Sequence, residues 1–248
     1  MIGEAIIALL ITGCWNGGYA KVYASPSTDG GSMAVELWLI RHGQAAFGTG
    51  DYDRLTDLGW QQSRWLGAHL ADIGLPFDRI CAGTLRRQQE TAQAITETIG
   101  GTVETIRGFE EYDAHGLMAR AGAQDQDPAV SRRNHFRKLR GLLLEWSQGR
   151  AEGSETWADY NDRVRSAVTA ATGGGSGRVL VASSGGTIAL ILMQATGLSV
   201  EQMIELNLQC RNSSITRLVI ARERTYLNMF NAIPHLERQD RIHAETYS

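Results

Sequence analysis

Residues 35–44 read VELWLIRHGQ, a mostly apolar run that stops abruptly at an arginine, a histidine and a glycine. A run of this length and composition is the pattern of a strand buried on both faces. Such strands belong to open α/β sheets, where ligands gather in the crevice beyond the carboxyl ends of the strands. Arg41 and His42 therefore fall where chemistry is done rather than where cores are packed, and Gly43 lets the backbone turn sharply behind them.

From residue 33 onward strand-like runs alternate with helical periodicity, which predicts a three-layer α/β/α sandwich around a mostly parallel sheet. Thr56 is the expected N-cap of a first helix whose buried stripe is Leu66, Leu70 and Ile73, and Gly74 closes it. Phe77–Cys81 reads as a second strand, leading through Gly83 into a helix that carries Arg86, Arg87, Thr91 and Ala92. A third strand, Val103–Ile106, precedes Phe109-Glu110-Glu111. Residues 114–177 read as mostly helical: Phe136, Leu139, Leu143 and Trp146 form one apolar stripe. Trp157, Tyr160, Val164 and Val168 form another, with Ser154 as its cap, and these aromatics are read as core. After the glycine-rich loop 173–177, a strand Arg178–Ser183 ends in Ser184-Gly185-Gly186 and a helix continues over Thr187–Thr196. Residues 211–220 and 225–231 read as a terminal hairpin.

The formal net charge of −3 over 248 residues supplies no basic field, so nucleic acid is not an expected partner. Arg132, Arg133, Arg137, Lys138 and Arg140 read as the solvated face of one helix. Cys14, Cys81 and Cys210 are widely spaced and odd in number, with neither a disulfide framework nor metal-ligand spacing, which favours a reducing, cytoplasmic compartment. Residues 1–32 differ from the rest, and the apolar piece Ala5–Thr12 is too short to span a bilayer. Ile11-Thr12-Gly13-Cys14 is similar to a lipoprotein cleavage box, but Glu4 and the lack of any lysine or arginine before it oppose export. A misassigned start or a disordered extension is the preferred reading of this segment, and a lipoprotein exported through Cys14 the alternative.

The Arg41-His42-Gly43 triplet resembles the signature of the histidine phosphatase superfamily, the phosphoglycerate-mutase-like enzymes. Three further segments resemble it in the right order. Leu55-Thr56-Asp57-Leu58-Gly59-Trp60-Gln61-Gln62 is similar to the stretch after the nucleophile, and Gly83 to Ala92 to the motif Ser-x-Leu-x-Arg-x-x-x-Thr-Ala. Phe109-Glu110-Glu111 matches the position of the general acid. Gly83 stands where that motif has serine, and Ser184 where the family's Ser-His-Gly-Gly has its second histidine; bacterial members with Ser-Gly-Gly are similar.

The resemblance spans about residues 34–236 of the proposed domain 33–248 and implies a helical lid insertion over about 114–177 that sets substrate choice. It implies His42 as phosphoryl acceptor and Glu111, rather than Glu110, as acid. Arg41, Arg87, Gln44, Ser184 and Gly185 would bind phosphate. His115, Arg120 and His135 are open as substrate contacts, whereas His69 and His235 read as structural.

The implied activity is metal-independent hydrolysis of phosphomonoesters, small molecules or phosphoproteins, through a phosphohistidine, with no cofactor and no integral membrane segment. Two alternatives stay open. One is a phosphate-binding or regulatory protein weakened by Ser184; if the site is otherwise intact, restoring histidine at 184 is expected to raise turnover. The other, ranked lower, is a mutase, because Glu111 is followed by Tyr112-Asp113-Ala114 and not by the mutase pattern Glu-Arg-x-Tyr-Gly.

Overall fold

A computed structural model describes residues 34–46, 53–122, 132–173, 177–221 and 224–247. The readings of residues 1–32, Cys14 included, lie outside the described residues, as does the side chain of His135. The chain order is β1 (Ala34–Arg41), α1 (Asp57–Asp72), β2 (Arg79–Ala82), α2 (Arg86–Ile99), β3 (Val103–Thr105), then a 3-10 turn at Arg107–Phe109. It continues through α3 (Ala114–Arg120), α4 (Arg132–Ser147), α5 (Trp157–Thr172), β4 (Gly177–Ser183), α6 (Gly185–Thr196), α7 (Val200–Gln209), β5 (Ile215–Ala221) and β6 (Arg224–Ala232).

The sheet order is β3-β2-β4-β1-β5-β6. β1, β2, β3 and β4 run parallel, and β5 with β6 forms the antiparallel flank expected of a terminal hairpin. Val35, Leu37 and Leu39 share a buried cluster with Val179, Val181 and the residues of α4, α5, α6 and α7. Ala82 and Ala182 face Ala92 of α2 on the other side. Alternate side chains of one strand thus enter opposite layers, the period-two consequence of the pleat. A fully buried leucine contributes about 1.5–3 kcal/mol, so the near-continuous apolar composition of β1 is what fixes it at the sheet centre.

Chain order places the crevice. After β1 the chain builds β2 and β3 to one side, then returns to insert β4 between β1 and β2, and finally crosses to β5 on the far side of β1. The helices that follow β1 and β4 pack on opposite faces, and their separation opens a cleft where these two strands end. Arg41 pairs in register with Ser183 there.

Local signals account for most element ends. Thr56 caps α1, its hydroxyl accepting from Gly59 N at 3.0 Å. Leu66 and Leu70 are fully buried and Ile73 half-buried, and Gly74 adopts φ +65° after the last turn. The cap of α5 differs from expectation: it is Thr156, which forms a capping box with Asp159. Ser154 lies two residues too early to reach the first amides of the helix. The helix after β4 begins at Gly185, two residues before the expected Thr187. Arg137, Lys138 and Arg140 are exposed, and Arg140 pairs with Glu205 at 2.6 Å. No helix among the described residues is long and apolar enough to cross a membrane.

Candidate active site

His42 follows β1 directly, and its backbone is held on three sides. Its N–H donates to Ser183 O at 2.9 Å, and its carbonyl accepts from Ser213 N and from Asn212 Nδ2, each at 3.2 Å. The turn behind it depends on glycine twice. A β-carbon on Gly43 would lie 2.4 Å from Gly59 O, and one on Gly59 would lie 2.2 Å from Gln44 O. The glycines let the start of α1 close onto the strand end, and Gly43 N donates to Thr91 Oγ1 at 3.0 Å, bringing in α2 as well.

The imidazole is 2 % exposed. Its Nδ1 lies 2.7 Å from Gly43 O, an acceptor only, so Nδ1 carries the hydrogen. Its Nε2 accepts from Arg87 Nε at 3.2 Å. Burial, then the Arg87 and Arg41 guanidinium groups, hold the ring's pKa well below the usual value, against a smaller opposing effect of the Gly43 carbonyl. The ring is therefore neutral, with its Nε2 lone pair facing a cation.

Arg87 sits in the first turn of α2, which starts shortly after the end of β2. Its Nη1 also pairs with Asp53 Oδ1 at 2.7 Å, while the other oxygen of that carboxylate accepts from Arg86 N at 2.9 Å. Arg41 donates from Nη1 to the carbonyl of Cys210. Its Nε would be 3.5 Å from a β-carbon on Gly185, which places its guanidinium beside the start of α6.

Glu111 approaches from the loop after β3. Its Oε2 accepts from Gly186 N at 2.9 Å and its Oε1 from Tyr112 N at 3.2 Å. The Tyr160 hydroxyl lies 3.4 Å from Oε1 and 3.2 Å from Thr187 Oγ1. Enclosure among these groups raises the carboxyl's pKa above the ordinary value and outweighs the amides and the two arginines, which act to lower it. The loop is clamped: Arg163 donates to the carbonyls of Gly108 and Glu110 at 3.0 and 2.9 Å, and Thr187 Oγ1 donates to Glu110 O at 2.8 Å. Glu110 itself turns away, toward Thr84 and Arg107.

His42, Arg87, Arg41, Glu111 and Gly185 are thus brought to one strand-end cleft. Ser184 is also there, buried, with Oγ accepting from Gln88 Nε2 at 2.8 Å. Gln44 has its Oε1 accepting from the Thr56 hydroxyl at 2.8 Å, which ties it to the cap of α1. His235 is buried against Ser213 Oγ at 2.8 Å and His69 is half-buried on α1, which agrees with structural roles. His115 and Arg120 lie exposed on α3. Residue-by-residue reading did not single out Asp53, Gln88, Asn212 or Tyr160. Tyr160 falls on a helical apolar stripe, and nothing in that spacing separates a core ring from one whose hydroxyl reaches a carboxylate.

Among the described residues no three histidines, cysteines or carboxylates gather as a metal site.

The fold and this strand-end cleft define an α/β protein of the phosphoglycerate-mutase-like class. A model of the histidine phosphatase superfamily (branch 1) matches residues 37–233, so the chain belongs to that superfamily. A 2,3-bisphosphoglycerate-dependent phosphoglycerate mutase of Sinorhizobium fredii is 30% identical over 192 residues, 71% of this chain and 86% of the relative. A mycobacterial glucosyl-3-phosphoglycerate phosphatase, solved with inorganic phosphate, superposes with a TM-score of 0.59 at 23% identity, covering 82% of this chain and 99% of that one. An Escherichia coli protein described as a putative alpha-ribazole-5'-P phosphatase gives a TM-score of 0.60 at 21% identity, covering 82% and 97%. At these identities the two solved structures show the fold alone.

Proposed function

We propose that this protein is a phosphomonoesterase that works through a phosphohistidine on His42. The observation that carries the reading is the state of that ring: neutral, with hydrogen on Nδ1 against Gly43 O and a lone pair on Nε2 facing Arg87. In the first half-reaction the substrate phosphate takes over the Arg87 guanidinium, and Nε2 attacks phosphorus. The bond from phosphorus to the ester oxygen breaks, and that oxygen takes the proton of Glu111. The positive charge gained by the ring is met by the Gly43 carbonyl on Nδ1–H. In the second half-reaction water attacks phosphorus, Glu111 takes a proton from it, the Nε2–P bond breaks, and phosphate leaves with His42 neutral again.

The transition states are loose, with negative charge spread over three oxygens, so most of the catalysis is positioning and charge compensation. Arg87 and Arg41 provide planar forks for those oxygens, and the first amides of α6 add their dipoles. The raised carboxyl of Glu111 suits a group that must hold a proton before it donates one. The scheme calls for no metal or cofactor.

Membership shared with mutases leaves a phosphoryl acceptor other than water as the competing reading. The absence of Glu-Arg-x-Tyr-Gly after the acid favours hydrolysis. A phosphate binder with little turnover is favoured only by Ser184, which brings one hydroxyl where a histidine brings a possible cation. Hydrolysis of p-nitrophenyl phosphate, measured with and without a chelator, separates these readings. Turnover that survives the chelator and disappears in His42→Ala is the expected result. Equal rates in the two proteins would overturn the phosphohistidine scheme.

A further inference from the structure

The two positions at which the sequence departs from its family's pattern, Gly83 and Ser184, both face the same residue, Gln88. The carboxamide of Gln88 is fully buried on α2. Its Nε2 donates to Ser184 Oγ at 2.8 Å and to Phe109 O at 3.1 Å, which fixes the orientation of the amide because a carbonyl only accepts. Among the described residues its Oε1 has no hydrogen-bond partner, and it would lie 2.1 Å from a β-carbon on Gly83. A serine at 83 would therefore collide with this amide, and glycine is what allows it to lie across the cleft floor.

Ser184 occupies the N-cap of α6, yet makes no capping hydrogen bond with its side chain. Its oxygen accepts from Gln88 instead. The nearby carbonyl of Phe109 already accepts from Gln88 and from Ser183 Oγ at 2.8 Å. With one lone pair of Ser184 Oγ taken by an N–H and that neighbouring acceptor doubly engaged, the serine proton has no acceptor among the described residues. It remains available for donation at the start of α6, next to Gly185.

We infer that Gln88 is a positioning residue that makes the Ser184 hydroxyl a one-way donor to the phosphoryl group, and that Gly83, Gln88 and Ser184 act as one unit in place of the second histidine. The inference rests on the phosphatase reading and deepens it. It also replaces the simpler expectation for Ser184→His. An imidazole extended in the direction Ser184 Oγ now takes would meet the Gln88 amide, so the histidine needs Gln88 shortened at the same time.

The test is a double-mutant cycle on the full chain with p-nitrophenyl phosphate. Gln88→Met and Ser184→Ala are each expected to lower kcat/KM about tenfold, the scale of one hydrogen bond to a charged group, and the double variant to match Ser184→Ala within about twofold. A merely structural Gln88 would lower the Ser184→Ala background further, so multiplying effects overturn the inference, as does a Gln88→Met protein with wild-type kcat/KM. Gln88→Glu keeps the side-chain shape should Gln88→Met fail to fold. Its carboxylate accepts the serine proton, so a similar loss is expected, and wild-type activity again overturns the inference. Ser184→His with Gln88→Ala is expected to exceed Ser184→His alone. If the wild-type protein hydrolyses nothing, the phosphatase reading fails by itself. The same cycle is then read as affinity for orthovanadate by tryptophan fluorescence, with non-additive losses supporting the inference and additive ones refuting it.

Discussion

Replacing Gly186 with alanine is expected to leave the chain folded and to displace the Glu111 carboxyl. A β-carbon at this position would lie 2.5 Å from Glu111 Oε1 and 2.4 Å from Tyr112 Cε1, where ordinary contact begins at 3.4 Å. The Tyr112 ring packs against Trp146 and Tyr160, with centroids 5.8 and 5.9 Å apart, and has little room to retreat. The Glu111 carboxyl is the end of a flexible side chain and yields by about 0.9 Å, while the tighter Tyr112 contact pushes the start of α6 back, and both movements weaken the 2.9 Å bond from Gly186 N. Overpacking of this kind costs about 1–3 kcal/mol of stability. Misplacing a catalytic group by about 1 Å costs on the order of a hundredfold in rate. The loss should fall on the step that needs the proton. With an alkyl phosphate kcat/KM is expected to drop about a hundredfold, and with p-nitrophenyl phosphate, whose leaving group departs without much help, far less. A cooperative melt near the wild-type Tm would confirm that the fold survives. Equal losses on both substrates, or no loss on the alkyl ester in a folded protein, would refute this role for Glu111.

Three more outcomes follow from the same geometry. Because the Glu111 carboxyl is pushed up, kcat/KM for an alkyl phosphate should fall as pH rises through a value above the ordinary carboxylate range. Because His42 is pushed down, the acid limb should lie below the ordinary histidine value. Glu111→Gln should remove the alkaline limb, and its persistence would assign that limb elsewhere. Gly43→Ala places a β-carbon 2.4 Å from the backbone oxygen of Gly59, which no side-chain movement relieves, so a loss of about 3 kcal/mol is expected in urea unfolding; an unchanged midpoint would contradict this. His235 is held neutral in the fold, its pKa lowered to about 3 chiefly by burial and also by His69 and Arg241. The unfolded chain takes up that proton first, so its contribution to stability is complete above about pH 6.5 and is lost at up to about 1.4 kcal/mol per unit as pH falls toward the folded value. The stability gap between wild type and His235→Asn should narrow accordingly, and a pH-independent gap would exclude the linkage.

Much of this site was legible because its parts are short and local. The run Val35–Ile40 announces a central strand, and the charged tip after it has only one place to go in an open sheet. Thr56 and the Leu66/Leu70 spacing carry their helix in a few residues, and so do Arg87 and Thr91 at the start of α2. What was hidden depends on the third dimension. Ser154 and Thr156 are both reasonable caps, and only the reach of Asp159 back to Thr156 decides between them. Gln44 lies two residues after His42 in sequence, and its Oε1 accepts from Thr56 twelve residues on. Tyr160 lies 49 residues from Glu111 and reads as core from its helical spacing, which is true of its ring but not of its hydroxyl. Gln88 and Ser184 are 96 residues apart, and neither residue type hints at the other.

The most direct test of the mechanism is chemical trapping. Wild-type and Glu111→Gln proteins are mixed with p-nitrophenyl phosphate, quenched in alkali within a turnover, digested and mapped by mass spectrometry. The expected result is an acid-labile, alkali-stable phosphoryl group on His42, more abundant in Glu111→Gln because water is no longer activated, and absent from His42→Ala. Steady hydrolysis with an unmodified His42, or a phosphoryl group found on Ser184, would contradict the central role given to this imidazole.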